Sequence, residues 1–203
     1  MGDAVLGGAP VALPGIDPAA RDAHTAGPRV YGFHATLKAP FRLALGRREA
    51  DLLDALRAFG AVRPPAGRVT LRLAQFGRFL ALAPAEDSRD LDLLAAELVA
   101  SFDGFRAPLT AEDRERRLKA SLSPRQAALL DAWGYPYVFE TFRFHMTLTG
   151  SLPDRDLPRW RAALEPLCRD LPPVDIDAVT LVVQAEPGFP FRILERVALE
   201  GSR

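Results

Sequence analysis

The chain has 203 residues, of which 48% are hydrophobic and 26% are charged, and its formal net charge is zero. This length can bury one sizeable core, and the composition is typical of a globular protein rather than a disordered one. The neutral charge excludes a global basic field for long nucleic acids. Because no apolar run reaches the length of a membrane span, we expect a cytoplasmic protein without a membrane partner. The oligomeric state stays open.

The first 45 residues are predicted to form a lead-in followed by a strand. Residues 1–29 are rich in Gly, Ala and Pro without a clear period, which indicates a loosely organised segment. We interpret His24, within it, as a solvated loop residue. From Val30 to Leu45 apolar and polar residues alternate, which predicts a strand with two chemically different faces.

Periodicity and turn residues define the next elements. Apolar residues at helical spacing predict one helix over residues 48–59 and another over residues 90–102. Between them, strand patterns over residues 67–76 and 78–84 flank a Gly77-Arg78 turn, which is typical of a hairpin.

Residues 108–134 are predicted to be a connecting pair of helices. Thr110 is suited to cap the first helix, and Ser123 precedes a proline at the first position of the second. A strand over residues 142–152 follows, then a helix broken near Pro166, and two closing strands. The single cysteine, Cys168, excludes an internal disulfide and is expected to be a buried structural thiol.

The order strand, helix, strand, strand therefore occurs twice, and duplication of a small unit is the economical interpretation. It predicts an α+β fold in which the two copies face a shared cleft. We expect a single two-lobed domain over residues 1–203, with lobe 1 at about 30–107, connecting helices at about 108–134 and lobe 2 at about 135–203.

Two of the three histidines lie in nearly the same sequence, YGFHATLKAPF around His34 and FRFHMTLTG around His145. Residues two apart on a strand point to the same face, so each copy offers an imidazole, a hydroxyl and a cation from one polar side. These polar sides consist of His34, Thr36 and Lys38 in the first copy and of Arg143, His145, Thr147 and Thr149 in the second. Lys38 is one of only two lysines.

Two imidazoles and two hydroxyls suit the hydrolysis of a phosphodiester without metal. One histidine can take a proton from water while the other gives a proton to the leaving oxygen. The threonines can donate hydrogen bonds to the phosphoryl oxygens, and Lys38 or Arg143 can offset their charge. The sequence leaves open which histidine is the base and which is the acid.

The motifs HATL at residues 34–37 and HMTL at residues 145–148 resemble the signature of the two-histidine (2H) phosphoesterases. The longer sequence WGYPYVFETFRFHMTLTG looks like a branch associated with phosphonate metabolism. This branch begins with a Tyr-rich strand before a stretch similar to GGAPVALPG, and this sequence starts too late to contain it. An unpaired sheet edge in the first lobe is the expected consequence.

The resemblance implies a duplicated, LigT-like fold with a central cleft, no cofactor, and a small cyclic phosphodiester as substrate. A 2′,3′-cyclic nucleotide and a phosphoribosyl cyclic phosphate are both candidates. The implied roles are catalysis for His34 and His145 and phosphate binding for Thr36 and Thr147. Further candidates for substrate binding, inferred from their position in the matching stretches, are Tyr31, Lys38, Tyr135, Tyr137 and Arg143.

Several alternatives remain open. The segment EDRERRLK at residues 112–119 is interpreted as an exposed helix face, with Arg116 or Arg117 as the less favoured phosphate ligand. The same cleft could bind a cyclic nucleotide or a phosphorylated sugar without turnover. An RNA end-processing enzyme would need a basic track, which the neutral charge disfavours. A metal site is least favoured, because two histidines fall short of the usual three or four ligands.

Overall fold

The computed structural model describes residues 11–119, 121–186 and 188–202. Six α-helices are seen in this part of the chain: α1 Pro18–Tyr31, α2 Glu49–Val62, α3 Arg89–Ser101, α4 Ala111–Leu118, α5 Pro124–Trp133 and α6 Leu157–Cys168. Two short 3-10 helices span Asp103–Phe105 and Phe139–Thr141. The strands are β1 Gly67–Val69, β2 Leu71–Phe76, β3 Phe79–Pro84, β4 Met146–Thr147, β5 Val174–Ile176, β6 Ala178–Val183 and β7 Arg192–Ala198. Helices and small sheets are thus mixed, as the α+β prediction requires.

The strands pair in three small sheets, in the orders β1-β5, β2-β3-β4 and β6-β7. None of the helices in the described residues is both long and apolar enough to cross a bilayer.

Two compact units divide the chain. Within the described residues, the first unit contains residues 11–35, 67–87 and 145–196, and the second contains residues 36–66, 88–144 and 197–202. Each unit draws segments from both halves of the chain. The predicted lobes are a different division, based on the repeated order of strands and helices along the chain. That division stays a prediction.

Helix α1 corrects the expectation that residues 1–29 are loosely organised; residues 1–10 lie outside the described residues. The carboxylate of Asp17 accepts hydrogen bonds from the amides of Ala19 and Ala20 at 2.9 and 3.2 Å, and Pro18 occupies the first turn. The cap favours a helix that begins at Pro18, and the carbonyl oxygen of His24, which Pro28 cannot bond within the helix, accepts the amide of Gly150 instead.

His24 is consequently a helical residue and not a loop residue. It is half-buried, and its ring packs edge-on against Trp160 with centroids 5.7 Å apart. Its carbonyl oxygen also accepts a hydrogen bond from the amide of Gly150. The prediction of a solvated histidine was therefore wrong, because the apolar surface of α6 provides a packing partner that the local sequence does not reveal.

The two histidine-bearing strands are much shorter than predicted. Between residues 30 and 45 the chain makes isolated antiparallel bridges at Ala35 and Leu43, and Val30 itself belongs to α1. The proline at position 40 cannot donate to a ladder, which helps to explain the interruption. Of residues 142–152 only β4 is a strand.

The predicted strand over residues 67–76 is divided into β1 and β2, which pair with β5 and β3 in different sheets. The other predicted elements are confirmed with small shifts of their ends. Helices α2, α3, α4 and α5 and the β2-β3 hairpin around Gly77 all form, and the hydroxyls of Thr110 and Ser123 accept the expected cap hydrogen bonds. Helix α6 instead continues through Pro166, so the predicted break was wrong. Its buried face packs on β2 and β3, and this packing outweighs the local cost of a proline.

The three-stranded sheet positions the motif of the second copy. In its register Ala81 of β3 lies opposite Thr147 of β4, and Leu82 lies opposite Met146. Side chains alternate across a strand, so the sheet has a leucine-rich face and a second face that includes Ala81 and Thr147. The buried residues of this sheet, of the position after β4 and of α6 are Leu71, Leu73, Ala74, Leu80, Ala81, Leu82, Ala83, Leu148, Trp160, Ala163, Leu164 and Cys168.

Candidate functional site

An antiparallel bridge joins the two histidine motifs at their centres. Ala35 pairs with Met146, the residue between the histidine and the threonine of the second motif. In antiparallel register this pairing brings His34 opposite Thr147, and the flanking residues point to the face away from Ala35 and Met146. His34 and His145 then become diagonal neighbours, for which the Cβ atoms are typically about 7 Å apart.

Strand β4 is fixed against β3 by hydrogen bonds just after the motif. The amides of Leu148 and Thr149 donate to the carbonyl oxygen of Leu80 at 3.0 and 3.2 Å. In return, the amide of Leu80 donates to the hydroxyl of Thr149 at 3.1 Å. Thr149 is fully buried. The sequence placed Thr149 on the same polar face as His145 and Thr147, but its hydroxyl is used to anchor β4 to β3.

An open cavity of about 310 Å³ lies beside this face, within the first unit. The residues of its wall come from the end of α1, the two motifs and the hairpin: Gly27, Pro28, Tyr31, Gly32, His34, Phe79, Thr147, Thr149, Gly150 and Ser151. The wall therefore combines an imidazole, several hydroxyls and apolar surface. Such a mixture suits a small ligand with one polar reacting group.

His34 is exposed, and its ring orientation follows from a local contact. Its Nδ1 lies 3.1 Å from the carbonyl oxygen of Gly32. A carbonyl only accepts, so Nδ1 carries the proton in the neutral ring and Nε2 carries the lone pair. Gly32 has a φ of 69°, a conformation that favours glycine. The glycine two residues before the motif thus helps to orient the imidazole ring.

His145 is half-buried and packs against two aromatic rings that stack on each other, those of Phe76 and Phe79. Its ring centroid lies 5.1 Å from that of Phe76 and 5.7 Å from that of Phe79. Phe79 also forms part of the cavity wall. The hairpin therefore holds the imidazole from the side of β2 and β3, and Phe79 links His145 to the cavity.

Tyr31 forms one side of the cavity and has its own support. Its ring stacks on Phe191, with centroids 5.1 Å apart, and lies 6.1 Å from the ring of His34. The amide of Phe191 donates to the carbonyl oxygen of Val30, which ties this residue to the end of α1. Tyr31 remains exposed over 51% of its surface, which is available for a ligand.

Tyr31, His34, His145 and Thr147 thus belong to the first unit, and the other predicted site residues belong to the second. Thr36 is exposed and directly follows the bridge residue Ala35 in the chain.

Lys38 is half-buried and already has partners in the second unit. Its Nζ donates to the carbonyl oxygen of Val99 at 3.1 Å and lies 3.7 Å from the carboxylate of Asp103. Burial lowers the pKa of Lys38, and the neighbouring carboxylate of Asp103 opposes this effect. Its role in offsetting a phosphate charge stays a prediction.

The remaining candidates lie close together in sequence. Arg143 is exposed and donates to the carbonyl oxygens of Glu140 and Phe142 at 3.2 and 2.6 Å. Tyr135 and Tyr137 pack edge-on, with ring centroids 5.5 Å apart. Their predicted contacts with a substrate stay predictions.

Sequence reasoning missed the supporting residues Gly32, Phe79 and Phe191. Gly32 could have been noticed, because a glycine between an aromatic residue and a histidine motif often marks a special backbone conformation. Phe79 and Phe191 are distant from either motif in sequence, and no local signal connects them to the site. In the described part of the chain, no group of three or more His, Cys, Asp or Glu side chains is arranged to hold a metal ion.

Comparison with known proteins gives a family for the chain. Residues 36–192 match the family described as "Protein of unknown function (DUF1045)", and the chain belongs to that family. The match includes the whole second motif and begins two residues after His34, so the first histidine lies just outside it.

Two curated relatives are similar over nearly the whole chain. Both are named ribose 1,5-bisphosphate phosphokinase PhnN. The protein from Janthinobacterium sp. (strain Marseille) is 40% identical, and the one from Laribacter hongkongensis (strain HLHK9) is 37% identical. Each alignment covers 94% of this chain but only 44% of the relative, so the chain spans less than half the length of these proteins.

A solved structure, that of TT0787 of Thermus thermophilus, shares 19% identity with a TM-score of 0.44, and the match covers 84% of this chain and 80% of that one. This likeness is too distant to support an argument about function.

Proposed function

We propose that the chain is a 2H-type cyclic phosphodiesterase that hydrolyses a cyclic phosphate ester of ribose or a ribonucleoside without a metal ion. The observation that carries the proposal is the antiparallel bridge between Ala35 and Met146. The bridge supports one polar face shared by the two motifs, on which the two imidazoles are diagonal neighbours. His34 belongs to the cavity wall, and His145 packs on Phe79 of the same wall. A binding module would need donors and cations, but it would not need two protonable groups in this arrangement.

In the proposed reaction, one imidazole removes a proton from water as the water oxygen attacks phosphorus. The bond between phosphorus and one ring oxygen breaks, and the other histidine, in its protonated form, gives its proton to that oxygen. The product is a phosphate monoester with a free hydroxyl, and the two histidines have exchanged protonation states. Thr147 donates a hydrogen bond to a phosphoryl oxygen, and Thr36 is proposed to do the same.

The names of the curated relatives support the substrate class. They refer to a ribose bisphosphate, so both the names and the resemblance concern phosphorylated ribose. The phosphokinase activity belongs to proteins more than twice as long, and neither Lys38 nor Lys119 stands in a Gly-x-x-x-x-Gly-Lys loop. We therefore propose hydrolysis rather than phosphorylation for this chain, with phosphonate catabolism as its setting.

The test is phosphorus NMR of product formation in the presence of a chelator. The substrates are 2′,3′-cyclic nucleotides and phosphoribosyl 1,2-cyclic phosphate, and the variants are His34→Ala and His145→Ala. We expect turnover by the parent chain and a loss of about 10²–10⁴-fold in kcat for each variant, since each removes one proton-transfer group. His24→Gln is the matched control, because this third histidine lies outside both motifs, and circular dichroism verifies that each variant is folded.

Two results would contradict the proposal. Tight binding of a cyclic phosphate by the folded parent without any product would favour the binding module. Activity that persists in both histidine variants would remove the imidazoles from the mechanism.

A further inference from the structure

Arg117 is a cation that is partly removed from water, with no carboxylate partner among the described residues. It is half-buried near the end of α4, and its Nε is buried with no hydrogen-bond acceptor in that same part of the chain. Removing a guanidinium from water without neutralising it costs free energy, and a bound anion would offset that cost.

The other two arginines of α4 differ from Arg117. Arg114 forms an ion pair with Asp131 at 2.7 Å, and Arg116 forms one with Asp113 at 2.6 Å. Both of these arginines are exposed. Within the described residues, the one arginine of this helix that is half-buried is therefore also the one without an ion pair.

Aromatic rings orient the Arg117 side chain. Its guanidinium carbon lies 5.1 Å from the ring centroid of Tyr135, and Tyr137 packs edge-on against Tyr135. Contact with an aromatic face fixes the plane of a guanidinium and so aims its fork of N–H donors. Tyr137 exposes 41% of its surface and adds a hydroxyl donor within the same unit.

We propose that Arg117, Tyr135 and Tyr137 form a binding site for the phosphate group of a small phosphate monoester. The planar guanidinium matches two phosphate oxygens, and a phosphate dianion offsets a desolvated cation more fully than a carboxylate does. The tyrosine rings can cover an attached sugar. The site requires no bond to be broken, so it does not depend on the proposed hydrolysis.

The test uses the ¹⁵N-labelled full chain and inorganic phosphate as the probe. The titration is done with the double variant His34→Ala, His145→Ala, so that phosphate at the two histidines does not contribute. The Nε–H resonance of Arg117 reports on the site and is assigned by its disappearance in Arg117→Lys. We expect this resonance to shift in a saturable manner, while the Nε–H resonances of Arg114 and Arg116 shift little.

Affinity measured by calorimetry gives the second readout. Arg117→Lys keeps the charge but loses the planar fork, and we expect phosphate to bind about tenfold more weakly. Arg116→Ala, on the same helix, is the matched control and should leave the affinity unchanged. The proposal is overturned if the Arg117 resonance does not move, if Arg116→Ala weakens binding as much, or if acetate binds as tightly as phosphate. This test measures phosphate binding and not turnover. Failure of the hydrolysis assay would therefore not contradict the phosphate site at Arg117.

Discussion

Replacing Thr149 with valine should destabilise the chain although the two side chains have nearly the same shape. The Thr149 hydroxyl accepts the amide of Leu80, and both residues are fully buried. In Thr149→Val that amide loses its acceptor. A buried donor left without a partner costs about 1–3 kcal/mol.

A second pair of variants gives an independent measurement of how much the Thr149 hydroxyl contributes to stability. Thr149→Ser and Thr149→Ala both lack the methyl group, so the difference between them again isolates the hydrogen bond to Leu80. We expect serine to exceed alanine in the free energy of unfolding by about the same 1–3 kcal/mol. For a chain of this size, each 1 kcal/mol shifts Tm by about 2–4 °C.

The assay is urea denaturation followed by circular dichroism, with amide hydrogen exchange of Leu80 as a local readout. Faster exchange at Leu80 in the valine and alanine variants, but not in the serine variant, would locate the effect. The reasoning is refuted if valine is as stable as threonine and alanine is as stable as serine, since the hydroxyl would then contribute nothing.

The remaining predictions concern packing at a glycine and the reactivity of the cysteine. Gly60→Ala should destabilise the chain by about 1–3 kcal/mol, because the new Cβ would clash with the carbonyl oxygen of Ala198. Gly104→Ala, whose new Cβ would lie 4.0 Å from a guanidinium nitrogen of Arg47, is the control in the same denaturation assay. Burial, with a smaller effect of Glu165, raises the pKa of the Cys168 thiol from 9.0 to about 11. At about pH 8 iodoacetamide should therefore modify the native chain about 100-fold more slowly than the chain in guanidinium chloride, because the thiolate fraction falls tenfold per pKa unit. Equal alkylation rates in the native and denatured chains would contradict this pKa. So would an alkylation rate of the native chain that reaches its plateau below about pH 10 as the pH is raised.

Local signals predicted the elements that depend on neighbouring residues. The caps at Thr110 and Ser123 and the Gly77 turn act within a few residues of the chain, so their chemistry is readable from the sequence. The paired histidine motifs were also evident, because the repeat of residue types does not depend on the fold.

Predictions failed where distant residues decided the outcome. The helix through Pro166 persists because its buried face packs on β2 and β3, and His24 is held by Trp160, more than a hundred residues away in the chain. Alternating residues in the first motif indicated a long strand, but in the described structure of residues 30–45 only Ala35 and Leu43 form β-bridges. A strand needs a neighbour to complete its hydrogen bonds, and the sequence does not name that neighbour.

The sequence by itself determined which groups are available for chemistry: two imidazoles, each followed two residues later by a hydroxyl. The tertiary structure decided how they are arranged. The pairing of Ala35 with Met146 brings the motifs together, Thr149 is used to anchor β4, and Phe79 and Phe191 support His145 and Tyr31. These contacts join residues far apart in the chain, and their energies depend on packing and register, which only the folded chain specifies.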